Sequence, residues 1–180
     1  MDGNVLLVLA LIAVLAGFIH SAIGFGFGIV AISLIPLMTD VRSAHIIVSV
    51  SSVPMLLMAA WAYRRGVEWS SLKQAMLGAA IFLPLGLLLF ETVSLDWLAR
   101  GTGFGILATV LWSLRSPPAH HHKATSSAAC FLAGALSGFL GGAVSIGGPP
   151  IATFALKQDW SQDRFKSFVT QCLLVTASYK

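Results

Sequence analysis

The amino-acid sequence predicts an all-α fold: a polytopic bundle of transmembrane helices, built from two internal repeats with glycine-broken helices, the second repeat truncated. Composition is the first ground. Of the 180 residues, 57% are hydrophobic and 10% charged, where an ordinary soluble domain carries about 25% charged residues, and mean hydropathy is +0.86. A water-soluble fold of this size could not cover its surface, so several helices must span a bilayer. The second ground is a repeat. The stretch Gly17-Phe18-Ile19-His20-Ser21-Ala22-Ile23-Gly24-Phe25-Gly26-Phe27-Gly28-Ile29-Val30-Ala31 overlays without a gap on Gly138-Phe139-Leu140-Gly141-Gly142-Ala143-Val144-Ser145-Ile146-Gly147-Gly148-Pro149-Pro150-Ile151-Ala152. Gly17/Gly138, Phe18/Phe139, Ala22/Ala143, Gly26/Gly147 and Ala31/Ala152 are identical. Helix-breaking residues coincide along with apolar ones, so the match reads as an internal duplication rather than shared hydrophobicity.

In chain order, residues 4–39 contain no Asp, Glu, Lys or Arg, and His20 is their one ionisable side chain. As a straight helix this stretch would measure about 50 Å against a hydrocarbon core of ~30 Å. It must break, tilt or turn back, and Gly24, Gly26 and Gly28 mark the place, because glycine weakens a helix and lets backbone approach. Pro36 and Thr39-Asp40 close it. A second span covers residues 45–63, with Pro54 inside it and Trp61 and Tyr63 at the interface. Arg64, Arg65 and Lys73 fill the next loop. A third span covers 74–90, around Pro84 and Gly86. The acidic loop 91–96 follows, then a fourth span over 97–114, where Arg100 can snorkel.

Residues 115–123 hold Pro117-Pro118 and His120 to His122 and form an extended linker. Residues 124–156 are again free of Asp, Glu, Lys and Arg, with the second glycine break at their middle. Residues 157–166 are a polar loop, and from Ser167 another span begins that is short of the ~20 residues a crossing needs. The expected organisation is therefore a first repeat at 1–114, a cytoplasmic linker at 115–123 and a partial second repeat at 124–180, with roughly a quarter of the full length missing. The basic loops lie on the cytoplasmic side. Whether each broken stretch crosses once or re-enters, and whether the repeats are parallel or inverted, stays open.

The net charge of +4 follows from basic cytoplasmic loops and asks for no nucleic acid. Cys130 and Cys172 lack metal or redox spacing and read as small buried hydrophobes. Three consecutive histidines cannot share a helix face, so His120 to His122 are read as solvated loop and no metal is expected. No cofactor is implied. An enzyme is disfavoured: there is no acidic residue in the core of a span, no HExxH and no Ser/His/Asp pattern, and neither glycine cluster supplies GxGxxG or GKS/T.

The chemistry lies in the broken stretches. Non-helical backbone at membrane depth is tolerated only where it faces protein or a water-filled cavity. Ser145 can cap the restart of the second stretch, and Pro149-Pro150 suit a first helical turn. Two helix N-termini at midplane depth would offer N–H donors and positive dipole ends to one point, the arrangement transporters use for anions. Gly24, Gly26, Gly28, Ser145, Gly147, Gly148 and Pro149 are the candidate substrate-binding residues for a small oxyanion, and His20 is a candidate proton relay. A plainer reading makes the same glycines small-xxx-small packing sites, as in Gly134/Gly138, Gly138/Gly142, Gly24/Gly28 and Gly101/Gly105. Ser49, Ser51 and Ser52 either line a path or bond back to helix carbonyls.

The cluster Gly24-Phe25-Gly26-Phe27-Gly28 with Pro36, and Gly138-Phe139 through Gly147-Gly148-Pro149-Pro150, resembles the sulfite exporter TauE/SafE family, also called toluene-sulfonate uptake permeases. The resemblance covers one complete repeat and half of another. It implies a multi-pass carrier of the bacterial inner membrane, of about eight helices, moving sulfite, sulfonates or related sulfur-containing anions. Its partners would be the anion and the lipid bilayer, with a homo-oligomer left open. The family often has more consecutive glycines in its first cluster than the Gly-Phe alternation here. The alternatives are a non-transporting assembly or accessory protein and an inactive fragment of a transporter.

Overall fold

The computed structural model describes residues 3–115 and 126–179. Among them the protein is helical, with no strand: α1 (Gly3–Ile23), α2 (Phe27–Leu34), α3 (Val41–Ala62), α4 (Trp69–Thr92), α5 (Leu95–Arg115), α6 (Ser127–Val144), α7 (Gly148–Leu156) and α8 (Gln162–Ser178). Short 3-10 turns at Ile35–Leu37 and Arg64–Gly66 join α2 to α3 and α3 to α4. The linker beyond Arg115, with His120 to His122, lies outside the described residues.

Four helices are long and apolar enough to cross a membrane: α1 from Val5, α3, α4 and α6. The molecule's outer face agrees. Ile46, Val50, Leu57 and Trp61 stand exposed along α3, and Leu77, Ile81, Leu85 and Leu88 along α4. At i, i+3 and i+4 spacing these are stripes on single helix faces, and apolar stripes of this extent suit lipid rather than water. The chain is a multi-pass membrane protein. Pro54 and Pro84 both lie inside helices that continue past them.

The chain reverses twice within the apolar layer. Gly24 (φ 95°) and Gly26 (φ 111°) adopt backbone conformations that L side chains rarely take, and α2 then packs back on α1, with Ala31, Ile32 and Ile35 in one cluster with Ile12 and Ala16. The second reversal turns at Ser145 (φ 57°), a rare left-handed position for a residue with a side chain. Ser137 Oγ of α6 donates to the Gly147 carbonyl at 2.6 Å, and Ala133 shares a cluster with Ile151, Ala152 and Ala155 of α7. In both places the next helix packs back on the one before it.

The two hairpins run in opposite directions. The connection between α3 and α4 meets the start of α8: Arg164 pairs with Glu68, and Lys166 lies 5.4 Å from the Tyr63 ring centre. On this same side Lys166 Nζ donates to Ser21 O near the end of α1. The hairpin α1–α2 thus descends from the far side. In contrast, α6 runs parallel to α4, with Gly134 beside Ala75, Gly138 beside Ala79 and Gly142 beside Leu83, so the hairpin α6–α7 starts from the basic side. Helix boundaries recur at one separation along the chain. Ile23 and Val144 end helices, Phe27 and Gly148 begin them, and Val41 and Gln162 begin the next ones. Even the caps correspond: Asp40 accepts from the Ser43 amide and Ser161 from the Arg164 amide.

The contact between α4 and α6 is made by backbone. A Cβ on Gly138 would stand 2.6 Å from the Ala79 carbonyl oxygen, one on Gly142 2.7 Å from Leu83 O, and one on Gly134 would overlap Ala75 O. From the other helix, Gly78 and Gly86 press on the carbonyls of Phe131 and Phe139. Close approach of small residues is how helices gain van der Waals contact where lipid removes the hydrophobic drive. Gly101, by contrast, has open space around it, while Gly105 makes ordinary contact with Val144 and Ile146. We expect Gly138→Val to cost roughly 1–3 kcal/mol or more through overpacking and Gly101→Val less than about 0.5 kcal/mol; thermal unfolding in detergent checks both.

Candidate functional site

The two hairpin turns meet. A Cβ on Gly28, in the first turn of α2, would lie 2.6 Å from the Ser145 carbonyl oxygen at the end of α6. A Cβ on Gly148, at the start of α7, would lie 3.5 Å from the Phe25 side chain. Glycine is needed at position 28 because any side chain would force the two turns apart. Between them lies a cavity of about 70 Å³, walled by the two turns, the middle of α3 and the end of α8. A volume of this kind needs only about 10–15 Å³ to hold one water, so there is room for a small ion or several waters.

Of the sequence-derived residues, Gly26, Gly28, Ser145, Gly147, Gly148 and His20 line this cavity. Gly24 and Pro149 do not. Gly24 is buried against Lys166 and Phe165 at the start of α8, and Pro149 is buried within α7. The role of Ser145 also differs from the sequence reading. It closes α6 in the left-handed conformation, while Gly147 is the residue that precedes α7 and no side chain caps it. A three-residue turn between two antiparallel helices leaves too little chain for Ser145 to do both.

The first-turn amides of α2, on Phe27, Gly28 and Ile29, have no intrahelical acceptor by geometry. Val30 is the first α2 residue to bond back, to Gly26 O at 3.0 Å. At α7 the prolines at 149 and 150 carry no N–H, so the amides of Gly147 and Gly148 form the polar mouth. Both helix starts, with their positive dipole ends, border the cavity. Ser49, Ser52 and Thr176 add hydroxyls. Each hydroxyl also bonds back to its own helix: Ser49 donates to His45 O at 2.8 Å, Ser52 to Ser49 O at 2.8 Å, and Thr176 to Leu173 O at 2.9 Å. Ser49 and Ser52 thus do both things their sequence allowed, and Ser51 bonds to Ile47 O away from the cavity.

Among the described residues the lining contains no Asp, Glu, Lys or Arg. His20 is 2% exposed, and neither ring nitrogen has a hydrogen-bond partner. The arrangement suits a small anion: amide donors and dipoles aimed inward, and no carboxylate to repel it.

One buried polar residue beside the cavity escaped the sequence reading. His45, fully buried on α3, has Nδ1 2.9 Å from Ser145 Oγ and Nε2 3.3 Å from Thr102 Oγ1 of α5, and its ring packs edge-on against Phe90. It ties the turn at Ser145 to two other helices. A histidine four residues into an apolar span is itself a signal, because such residues are costly in lipid.

A family model described as Sulfite exporter TauE/SafE matches residues 9–177. No curated protein and no solved structure matches the chain.

The left-handed turn makes a direct prediction. Ser145→Gly and Ser145→Val lose the same hydroxyl, but only glycine is at home at this φ. The valine variant should be the less stable of the two by about 1–2 kcal/mol, read as the difference in their melting temperatures in detergent.

Proposed function

Because the chain belongs to the sulfite exporter TauE/SafE family, we propose that it is a permease for small sulfur-containing anions, sulfite or organosulfonates, which bind where the starts of α2 and α7 face each other. The observation that carries this reading is that the starts of α2 and α7 border one cavity whose lining, among the described residues, holds no Asp, Glu, Lys or Arg and one imidazole, that of His20. In a low-dielectric layer, fixed amide donors replace the hydration shell of an anion without a permanent countercharge that would hold it too tightly to release.

The same reading includes an internal duplication. Residues 1–114 form one unit and 124–180 a partial second unit in inverted orientation, and the recurrence of helix ends and caps at a single separation supports it. Inverted repeats around a midplane site are a general plan of secondary transporters, in which one unit rocks against the other. The side carrying Arg64, Arg65, Lys157, Arg164 and Lys166 is cytoplasmic by the positive-inside rule, and the bacterial inner membrane is the proposed location. His20 is the proposed proton relay. A proton taken up beside the anion would neutralise its charge for the crossing.

Proteoliposomes test this. Labelled sulfite should enter vesicles carrying the protein saturably and faster than empty vesicles. Gly28→Leu, inserted normally, should lower that rate at least tenfold by parting the two turns; an unchanged rate would exclude the cavity as the path. His20→Gln should abolish the stimulation of flux by an imposed pH gradient, and undiminished stimulation would remove His20 from the proton route.

A further inference from the structure

Two grooves of like construction differ in what covers them. Beside the second hairpin, Ala152 of α7 and Phe168 and Val169 of α8 form one cluster with Leu72 and Ala75 of α4, and Gly134, Gly138 and Gly142 of α6 lie against the α4 backbone. One whole helix thus fills the angle between α6 and α8. Beside the first hairpin, the separation that relates Phe27 to Gly148 and Val41 to Gln162 puts Ala31 of α2, Ile47 and Val48 of α3, and Ala13, Gly17 and Ser21 of α1 at the same places. Ala13, Ala31, Ile47 and Val48 line an open groove of about 270 Å³ between α1 and α3. A Cβ on Gly17 would meet nothing within 4 Å among the described residues.

The face that borders this groove has the chemistry of a helix contact. Ala13, Gly17 and Ser21 recur every four residues on α1, and the Ser21 hydroxyl already donates to Gly17 O at 2.9 Å. The stripe therefore offers close backbone approach and asks for no polar partner. A lipid tail can lie in such a groove without a glycine beneath it, whereas a second helix backbone gains its van der Waals contact only where small residues let it near. The α4–α6 pair shows which helix fits: α4 brings Ala75, Gly78, Ala79 and Gly86 to its buried face, with Leu72 and Leu83 beside them. Because α6 already takes up that face, a second copy of the chain does not offer it.

We infer that the groove between α1 and α3 is the docking site of a transmembrane helix from outside these 180 residues, which lies parallel to α1 as α4 lies parallel to α6 and carries glycine and alanine along one face as α4 does. The inference goes beyond the transport reading and does not depend on it, since it uses the placement of the helices and not the anion.

The test uses the full chain in detergent and, as probe, a synthetic peptide with the α4 sequence of residues 69–92, carrying a fluorophore at one end and photo-leucine at position 83. In the α4–α6 pair Leu83 stands beside Gly142, so a peptide seated in the groove should crosslink to α1 near Ser21. It should bind one to one. Gly17→Leu enters open space, so the chain should keep its melting temperature while its affinity for the peptide falls at least about tenfold through overpacking of the contact. A peptide with Gly78→Leu and Gly86→Leu should lose affinity to the same degree. The inference is overturned if the peptide does not bind, or if Gly17→Leu binds it as wild type does. It is also overturned if the crosslinks fall only on α6 near Gly142, where the peptide would have displaced the chain's own α4, or if the chain without peptide pairs with itself through Gly17, which would make a second copy the occupant.

Discussion

In hydrocarbon an unpaired backbone N–H or C=O costs several kcal/mol, so a helix that stops halfway through a membrane must end against protein. The chain stops twice, at Gly24 to Gly26 and at Ser145 to Gly147, and each stop is placed against the other: the Ser145 carbonyl backs onto Gly28, and Phe25 covers Gly148. Neither interruption would be tolerable alone in lipid. Placed together they share one cavity, and the amides that each helix start leaves without an intrahelical acceptor border it.

Holding two turns at this distance requires a frame that does not yield. The parallel pair α4 and α6 supplies it, because glycines on both helices bring their backbones into direct contact and leave no side chain that could change rotamer and loosen the fit. From the other wall, α3 contributes His45, tied to Ser145 and to Thr102. The scaffold is thus apolar and close-packed on one flank of the turn and hydrogen-bonded on the other. Such a division fits a carrier, in which a fixed site must be exposed to each side in turn by movement of the units around it.

Much of this was legible in the sequence. Composition fixed the solvent, and the paired glycine clusters located the cavity to within one turn, because few residue types other than glycine and proline interrupt a membrane helix cheaply. Orientation of the hairpins was not legible. A stretch that crosses and one that turns back have the same apolar run, and the direction of each hairpin shows only in contacts such as those of Ser21 with Lys166 and of α6 with α4. Gly24 and Pro149 belong to the right segments but turn away from the cavity, since spacing along a non-helical turn carries no facing rule. His45 was missed because its partners, Ser145 and Thr102, are 100 and 57 residues away. Glycines 138 and 142 satisfied two readings at once. They lie in the repeated stretch, yet their work is packing against α4, whereas Gly28 and Gly147 shape the cavity wall.

The central claim is that one anion sits between the starts of α2 and α7. Selenite, the heavier analogue of sulfite, scatters X-rays anomalously and can be located in crystals without reference to the protein density. The account predicts a selenium peak inside the cavity, within hydrogen-bond distance of first-turn amides of both α2 and α7. A selenium site elsewhere on the molecule, with the cavity empty at saturating selenite, would contradict it.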